Sequence, residues 1–313
     1  MGKNIAFLFP GQGSQFAGMG DSFIKASSNA KRRVEEANSV LGFDIGKLMA
    51  EGPEEELRLT ANTQPAILLC SVIALEALLE KKNMEPKVVA GHSLGEFSAC
   101  FAAGALGFAD AIRLVRKRGE LMQSAVPVGV GAMAAVIGLS PDDVESVCRE
   151  VGQEVAPANF NSPEQTVIAG KTEEVNKAIE ALKAKGAKRV IPLPVSAPFH
   201  THFMKPARDG LEEFMKGIEI HNPKTPIIRN VDAGLSTTAQ DVREGLVKQV
   251  TGCVRWVDSM MKLGNMGVSA ALEIGPGKVL AGLMKRIDKN VEAFTVGSTE
   301  EVDKALGAIY GQA

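Results

Sequence analysis

The sequence predicts an α/β fold: a large unit with a mostly parallel sheet, interrupted by a smaller unit of different topology. Two observations carry this reading. Asn4–Phe9 (NIAFLF) is a continuous apolar run ending in a glycine-rich turn, as expected of a strand buried on both faces in a parallel sheet. Near Val126 the pattern changes to strand, helix, strand, strand, helix, strand, which is the β-α-β-β-α-β order of a ferredoxin-like unit. A chain of 313 residues suits two domains of roughly 100–200 residues each. We expect a discontinuous large domain over 1–125 and 197–313, with the small domain inserted at 126–196.

The elements follow in order. After the first strand, residues from about Asp21 to Val40 read as helical. Pro65–Leu79 (PAILLCSVIALEALL) reads as a buried helix with proline at its start, where a missing N–H costs nothing. Lys87–Ala90 is a short strand, GHSLGEFSACFAAGAL follows it, and helical sequence continues to about Ala125. This β–α alternation argues for layered α/β architecture. The small unit is GAMAAVIG, PDDVESVCREV, VAPANF, EQTVIAG, EEVNKAIEALKAKG and KRVIPLPV. Helices near 205–216 and 239–250 then flank a strand around 226–229, and Ala271–Gly275 (ALEIG) is another strand.

Composition excludes several functions. The formal net charge is −2, so nothing marks a general nucleic-acid binder. Aromatic residues are only 5% of the chain, poor material for stacking bases. Cys70, Cys100, Cys148 and Cys253 are widely spaced and form no metal-finger pattern, as expected of a reduced, cytoplasmic protein. The apolar run at the N-terminus breaks at Pro10-Gly11, too early for a signal segment. No stretch approaches 18 uninterrupted apolar residues, so no membrane span is expected.

Gly91-His92-Ser93-Leu94-Gly95 matches G-x-S-x-G, between an apolar strand and a helix. A sharp strand-to-helix turn would present the Ser93 hydroxyl, and the helix N-terminus would aim free N–H groups at a developing oxyanion. A glycine-rich turn with Ser93 as helix cap is the plainer alternative. Serine needs a base, and the histidines are His92, His200, His202 and His221. His92 adjoins Ser93 and should diverge from it; His221 reads as a surface loop. His200 lies where the chain returns to the large domain, beside the expected cleft. His200-x-His202 could hold a metal, but no third ligand is evident, and no metal is expected. Pro10–Gln15 (PGQGSQ) is no dinucleotide fingerprint, because position 16 is Phe; its N–H groups could supply a second oxyanion donor. On residues alone, Arg118 is one of a surface cluster with Arg113, Arg116 and Lys117.

Taken together, GQGSQ, GHSLGEFSA, RKRGELMQ at 116–123, NFNSPEQTVIAG at 159–170, SAPFH at 196–200 and LVKQV at 246–250 resemble the malonyl-CoA:acyl carrier protein transacylases, in one order along essentially the whole chain. The resemblance implies a hydrolase-like α/β large domain carrying a ferredoxin-like small one. It implies Ser93 as nucleophile, His200 as base and Arg118 as the group that binds the malonyl carboxylate. Backbone amides of Gln12 and Leu94 would form the oxyanion hole. The Gln249 carbonyl would orient His200 in place of a triad carboxylate. Asn161 would line the cleft, and Phe199 would narrow it against branched acyl units.

The implied reaction is ping-pong transfer from malonyl-CoA to acyl carrier protein, with no cofactor, serving fatty acid synthesis. A serine thioesterase or hydrolase built on the same Ser–His pair is the alternative. The basic stretch Lys177, Lys183, Lys185, Lys188 and Arg189 could steer an acidic carrier protein, or be a solvated helix face.

Overall fold

A computed structural model describes residues 3–127, 129–195 and 197–311. Val128 and Ser196, the latter opening the S-A-P-F-H segment and closing the expected small domain, lie outside the described residues. Ten strands occur among the described residues: β1 (Ile5–Phe9), β2 (Val88–Gly91), β3 (Gly131–Ile137), β4 (Val155–Ser162), β5 (Gln165–Lys171), β6 (Arg189–Pro192), β7 (Ile227–Ile228), β8 (Leu235–Ser236), β9 (Ala270–Ile274) and β10 (Glu292–Val296).

They form two sheets. The larger has the order β10-β9-β1-β2-β7-β8 and is parallel except for β8 against β7. Its central strand β1 is apolar throughout and wholly buried, because helices cover both faces. The smaller sheet is antiparallel with the order β4-β5-β3-β6, and the helices Pro141–Val151 and Thr172–Ala184 share a core with it. This is the expected β-α-β-β-α-β unit. β8 and β10 were not anticipated. Each is two to five residues long, and neither shows a decisive apolar pattern.

The stretch expected to be helical from about Asp21 to Val40 is helical in two pieces, Asp21–Ala26 and Ser28–Leu41. Ser27 stands between them in extended conformation, and its hydroxyl accepts the Asn29 and Ala30 N–H groups as an N-cap. The buried helix begins at Thr60, not at Pro65, and runs to Lys81. Pro65 cannot donate to the Ala61 carbonyl one turn earlier. Arg116 Nη1 donates to that carbonyl at 3.0 Å instead, so the proline sits inside the helix without leaving an orphan acceptor. By length and composition Thr60–Lys81 could cross a bilayer, yet most of it is buried in the core against the helix Phe108–Ser124.

The small sheet is tied to the chain beyond it by two backbone hydrogen bonds. Phe160 N donates to the Val254 carbonyl at 2.9 Å, and Val254 N donates to the Ala158 carbonyl at 2.8 Å. Strand β4 of the small sheet therefore grips the segment that follows the helix Ala239–Gln249.

Candidate active site

β2 ends at Gly91 and a helix starts at Gly95, so His92, Ser93 and Leu94 make the turn between them. The turn is so tight that a Cβ on Gly91 would lie 1.9 Å from the Gly95 carbonyl group, and one on Gly95 2.0 Å from the Phe9 oxygen. Only glycine fits at either position. Ser93 itself is held at φ 51°, in the left-handed region that costs a side-chain-bearing residue free energy. Side chains secure it on both sides. Asn230 Oδ1 accepts the Ser93 N–H at 2.6 Å, and Gln249 Nε2 donates to the Ser93 carbonyl at 2.8 Å.

His200 Nε2 lies 2.8 Å from Ser93 Oγ. Its Nδ1 lies 3.0 Å from the Gln249 carbonyl and 3.2 Å from that of Gly252. Both neighbours of Nδ1 only accept, so Nδ1 carries the proton and Nε2 is left to accept the Ser93 hydroxyl proton. The ring is buried, and burial, reinforced by the Arg118 charge, pushes its pKa down to about 3. His200 is therefore neutral at physiological pH. Two carbonyls take the place of a triad carboxylate.

Arg118 lies inside the helix Phe108–Ser124 and is 1% exposed. It is not part of a surface cluster. Arg113 and Arg116 pair with Asp110 and Glu120 at the surface, whereas Arg118 turns inward. Its Nη1 donates to Gln64 Oε1 at 2.8 Å, and its Nη2 donates to Gln249 Oε1 at 2.9 Å and to Ser93 Oγ at 3.1 Å. The guanidinium also stacks over the Phe97 ring at 5.2 Å. Its Nε has no partner among the described residues. Burial lowers its pKa to about 10, which leaves it a cation at neutral pH.

Ser93, His200 and Arg118 open into one cleft of about 430 Å³, lined also by Gln12, Met122, Met133, Asn159, Leu193, Val195 and Phe199. The backbone N–H groups of Gln12 and Leu94 carry no hydrogen bond among the described residues, as suits oxyanion donors. Asn161 is placed differently from expectation. It lines an adjoining cavity of about 180 Å³, where its Oδ1 is 2.8 Å from His92 Nε2, while Asn159 faces the main cleft. His92 is turned from Ser93 toward Trp256, with ring centroids 5.3 Å apart. His221 is exposed in a loop. In the basic stretch, Lys177 pairs with Glu173 and Glu174, Lys183 with Glu180, Lys185 with Asp143 and Lys188 with Glu164.

Residues 6–302 match the family model described as the acyl transferase domain. The chain belongs to the acyl transferase family. It is 46% identical over 307 residues to the malonyl CoA-acyl carrier protein transacylase of Bacillus subtilis (strain 168), covering 97% of this chain and 96% of that one. It is 44% identical over 307 residues to the enzyme of the same name from Escherichia coli (strain K12), covering 97% and 98%. Among solved structures, the malonyl CoA-acyl carrier protein transacylase from Coxiella burnetii superposes with a TM-score of 0.96 at 42% identity, covering 99% and 98%. A malonyl-transacylase in complex with a type II PKS acyl-carrier protein gives 0.95 at 45% identity, covering 99% and 100%.

Three residues of this acyl transferase site escaped the sequence reading: Gln64, Glu96 and Asn230. Glu96 was within reach of a sequence argument, because a glutamate three residues after a candidate nucleophile is a suspect. Its carboxyl is buried, accepts from Gln249 Nε2 at 2.7 Å and from Asn230 N at 3.1 Å, and is pushed up to about 7 by burial. Asn230 carries no sequence signal.

Proposed function

We propose that this acyl transferase moves malonyl from malonyl-CoA to the phosphopantetheine thiol of an acyl carrier protein, through a malonyl ester on Ser93, in support of fatty acid synthesis. The observation that carries the reading is Arg118. A buried guanidinium whose Nη2 lies 3.1 Å from the candidate nucleophile has no carboxylate in direct contact among the described residues. A malonyl carboxylate supplies that contact with two parallel hydrogen bonds, and acetyl leaves the charge unpaired.

His200 Nε2 takes the Ser93 proton as Oγ attacks the thioester carbonyl. The Gln12 and Leu94 amides hold the oxyanion, and the coenzyme A thiolate leaves with the proton from His200. The conjugate acid of a weakly basic imidazole gives that proton up readily. The carrier thiol then attacks the ester by the same steps in reverse. Phe199, with Met133 and Leu193, limits the acyl group. The exchange is redox-neutral between thioester and ester, so no cofactor enters. Cytoplasmic location belongs to this reading, on the wide spacing of the four cysteines. The two relatives are named for the same reaction, and one structural neighbour is bound to a carrier protein.

Intact-mass measurement after mixing with malonyl-, acetyl- or methylmalonyl-CoA tests the proposal. The protein should gain one malonyl unit and little of the others, and Ser93→Ala should gain none. An adduct mapped to another residue overturns the assignment. Release of free malonate before any thiol is added makes the protein a hydrolase instead.

A further inference from the structure

Ser93, like His200 at φ 61°, is a strained residue of the site, and side chains hold both polar groups of its backbone, the carbonyl also accepting the Glu96 N–H at 3.1 Å. The two holders converge on a single atom. Asn230, whose Oδ1 accepts the Ser93 N–H, donates its own backbone N–H to Glu96 Oε2. Gln249, whose Nε2 donates to the Ser93 carbonyl, donates from the same nitrogen to the same Oε2. A further bond from Asn230 Nδ2 to the Gly91 carbonyl at 2.7 Å fixes the strand end of the turn.

The Gln249 amide also lies between opposite charges. Glu96 accepts from its nitrogen, and Arg118 donates to its oxygen. An anion on the N–H side and a cation on the carbonyl side polarise an amide in the same direction and allow it only one orientation. The charged groups that act on Glu96 are Arg118, through this amide, and Arg229, from the segment after β7. Arg229 is already paired with Asp232. Glu96 is thus the anion that answers Arg118 in the absence of an acyl group.

Resting on the assignment of Ser93 and Arg118 above, we propose that Glu96 is a positioning residue for acyl transfer. Its Oε2 holds the Ser93 turn through Asn230 and Gln249, and its charge balances Arg118 across the Gln249 amide until the malonyl carboxylate arrives. Two consequences follow. The turn loosens when Oε2 is withdrawn. When the charge is removed, Arg118 acts on the incoming carboxylate alone, so affinity for malonyl-CoA rises even as the reaction slows.

The experiment is rapid-mixing of malonyl-CoA and acetyl-CoA with wild type, Glu96→Gln and Glu96→Asp, above neutral pH where the carboxylate is ionised. Burst amplitude counts competent sites and burst rate reports each site's chemistry. In Glu96→Gln the burst rate per competent site should fall by about 10–100-fold, the scale of a reacting group displaced by up to an ångström. Its KM for malonyl-CoA should fall several-fold relative to that for acetyl-CoA. Glu96→Asp keeps the charge but is one methylene short, so it should lose rate without the change in malonyl preference. If Glu96→Gln does not fold, the Asp variant decides: a wild-type burst rate overturns the proposal, and a slowed one upholds it. A purely structural glutamate would lower burst amplitude and leave rate and preference per site unchanged, which also overturns it. Failure of wild type itself to form malonyl-Ser93 would mean that the function above, rather than the role of Glu96, is wrong.

Discussion

The protein uses its basic residues in two opposite settings, beside Ser93 and along the helix Thr172–Ala184 and the turn that follows it. Arg118 is buried, with neutral acceptors around it and its nearest anion one amide away. Lys177, Lys183, Lys185 and Lys188 are exposed, and each is within 4.0 Å of a carboxylate. Coulomb attraction between charges in water is worth about 1 kcal/mol at contact and is several times larger near or below a protein surface. Under the proposed function the buried cation chooses between acyl groups, whereas the exposed ones are neutralised locally and screened by salt. Of that stretch, Arg189 alone has no ion pair among the described residues, and it is the member best able to present net charge to an acidic partner.

The strongest way to break this contrast is Arg118→Ala. Truncating one side of a buried, hydrogen-bonded charge contact costs about 2–5 kcal/mol. Malonyl loading should fall by roughly 30- to 5,000-fold on that scale, while acetyl loading is far less affected. Equal losses for both acyl groups, measured as burst rates, would remove Arg118 from substrate recognition.

A second test follows the buried charge to His200. Its pKa is lowered from the usual 6.5 to about 3, so between those values the unfolded chain takes up a proton that the folded one refuses. The contribution of His200 to stability is present above about pH 6.5 and is lost as the pH falls toward 3. The stability of wild type relative to His200→Ala should therefore fall by about 1.4 kcal/mol per pH unit in that window. Urea unfolding of both proteins at several pH values reads it; parallel curves would mean an ordinary histidine.

The smallest effect is expected at the surface. Reversing Lys183 and Lys185 to glutamate should slow transfer to carrier protein only a few-fold, more at low salt, and leave malonyl loading unchanged. Stopped transfer, or a salt-independent loss, would show that the exposed lysines do more than their ion pairs suggest.

Much of the fold was legible because its signals are local. The apolar strands, the G-x-S-x-G turn and the switch to β-α-β-β-α-β at Val126 each depend on neighbours a few residues away. His200 could be reached by elimination among four histidines. Other features depend on distant partners. The proline inside Thr60–Lys81 is tolerated because Arg116, 55 residues away from Ala61, takes the freed carbonyl. Asn161 was expected in the cleft and instead answers His92, 69 residues away.

By itself, the sequence determined the α/β class, the tight turn that exposes Ser93 and the residue types able to attack a thioester. These are consequences of hydrophobic period and of glycine's freedom where backbone meets backbone. Only the tertiary structure decided that Arg118 faces inward, that two carbonyls orient His200 and that Asn230 and Gln249, 134 and 153 residues from Glu96 along the chain, meet at its carboxylate beside the turn. Burial and charge are properties of a place in the fold. A side chain acquires them only when distant segments close around it.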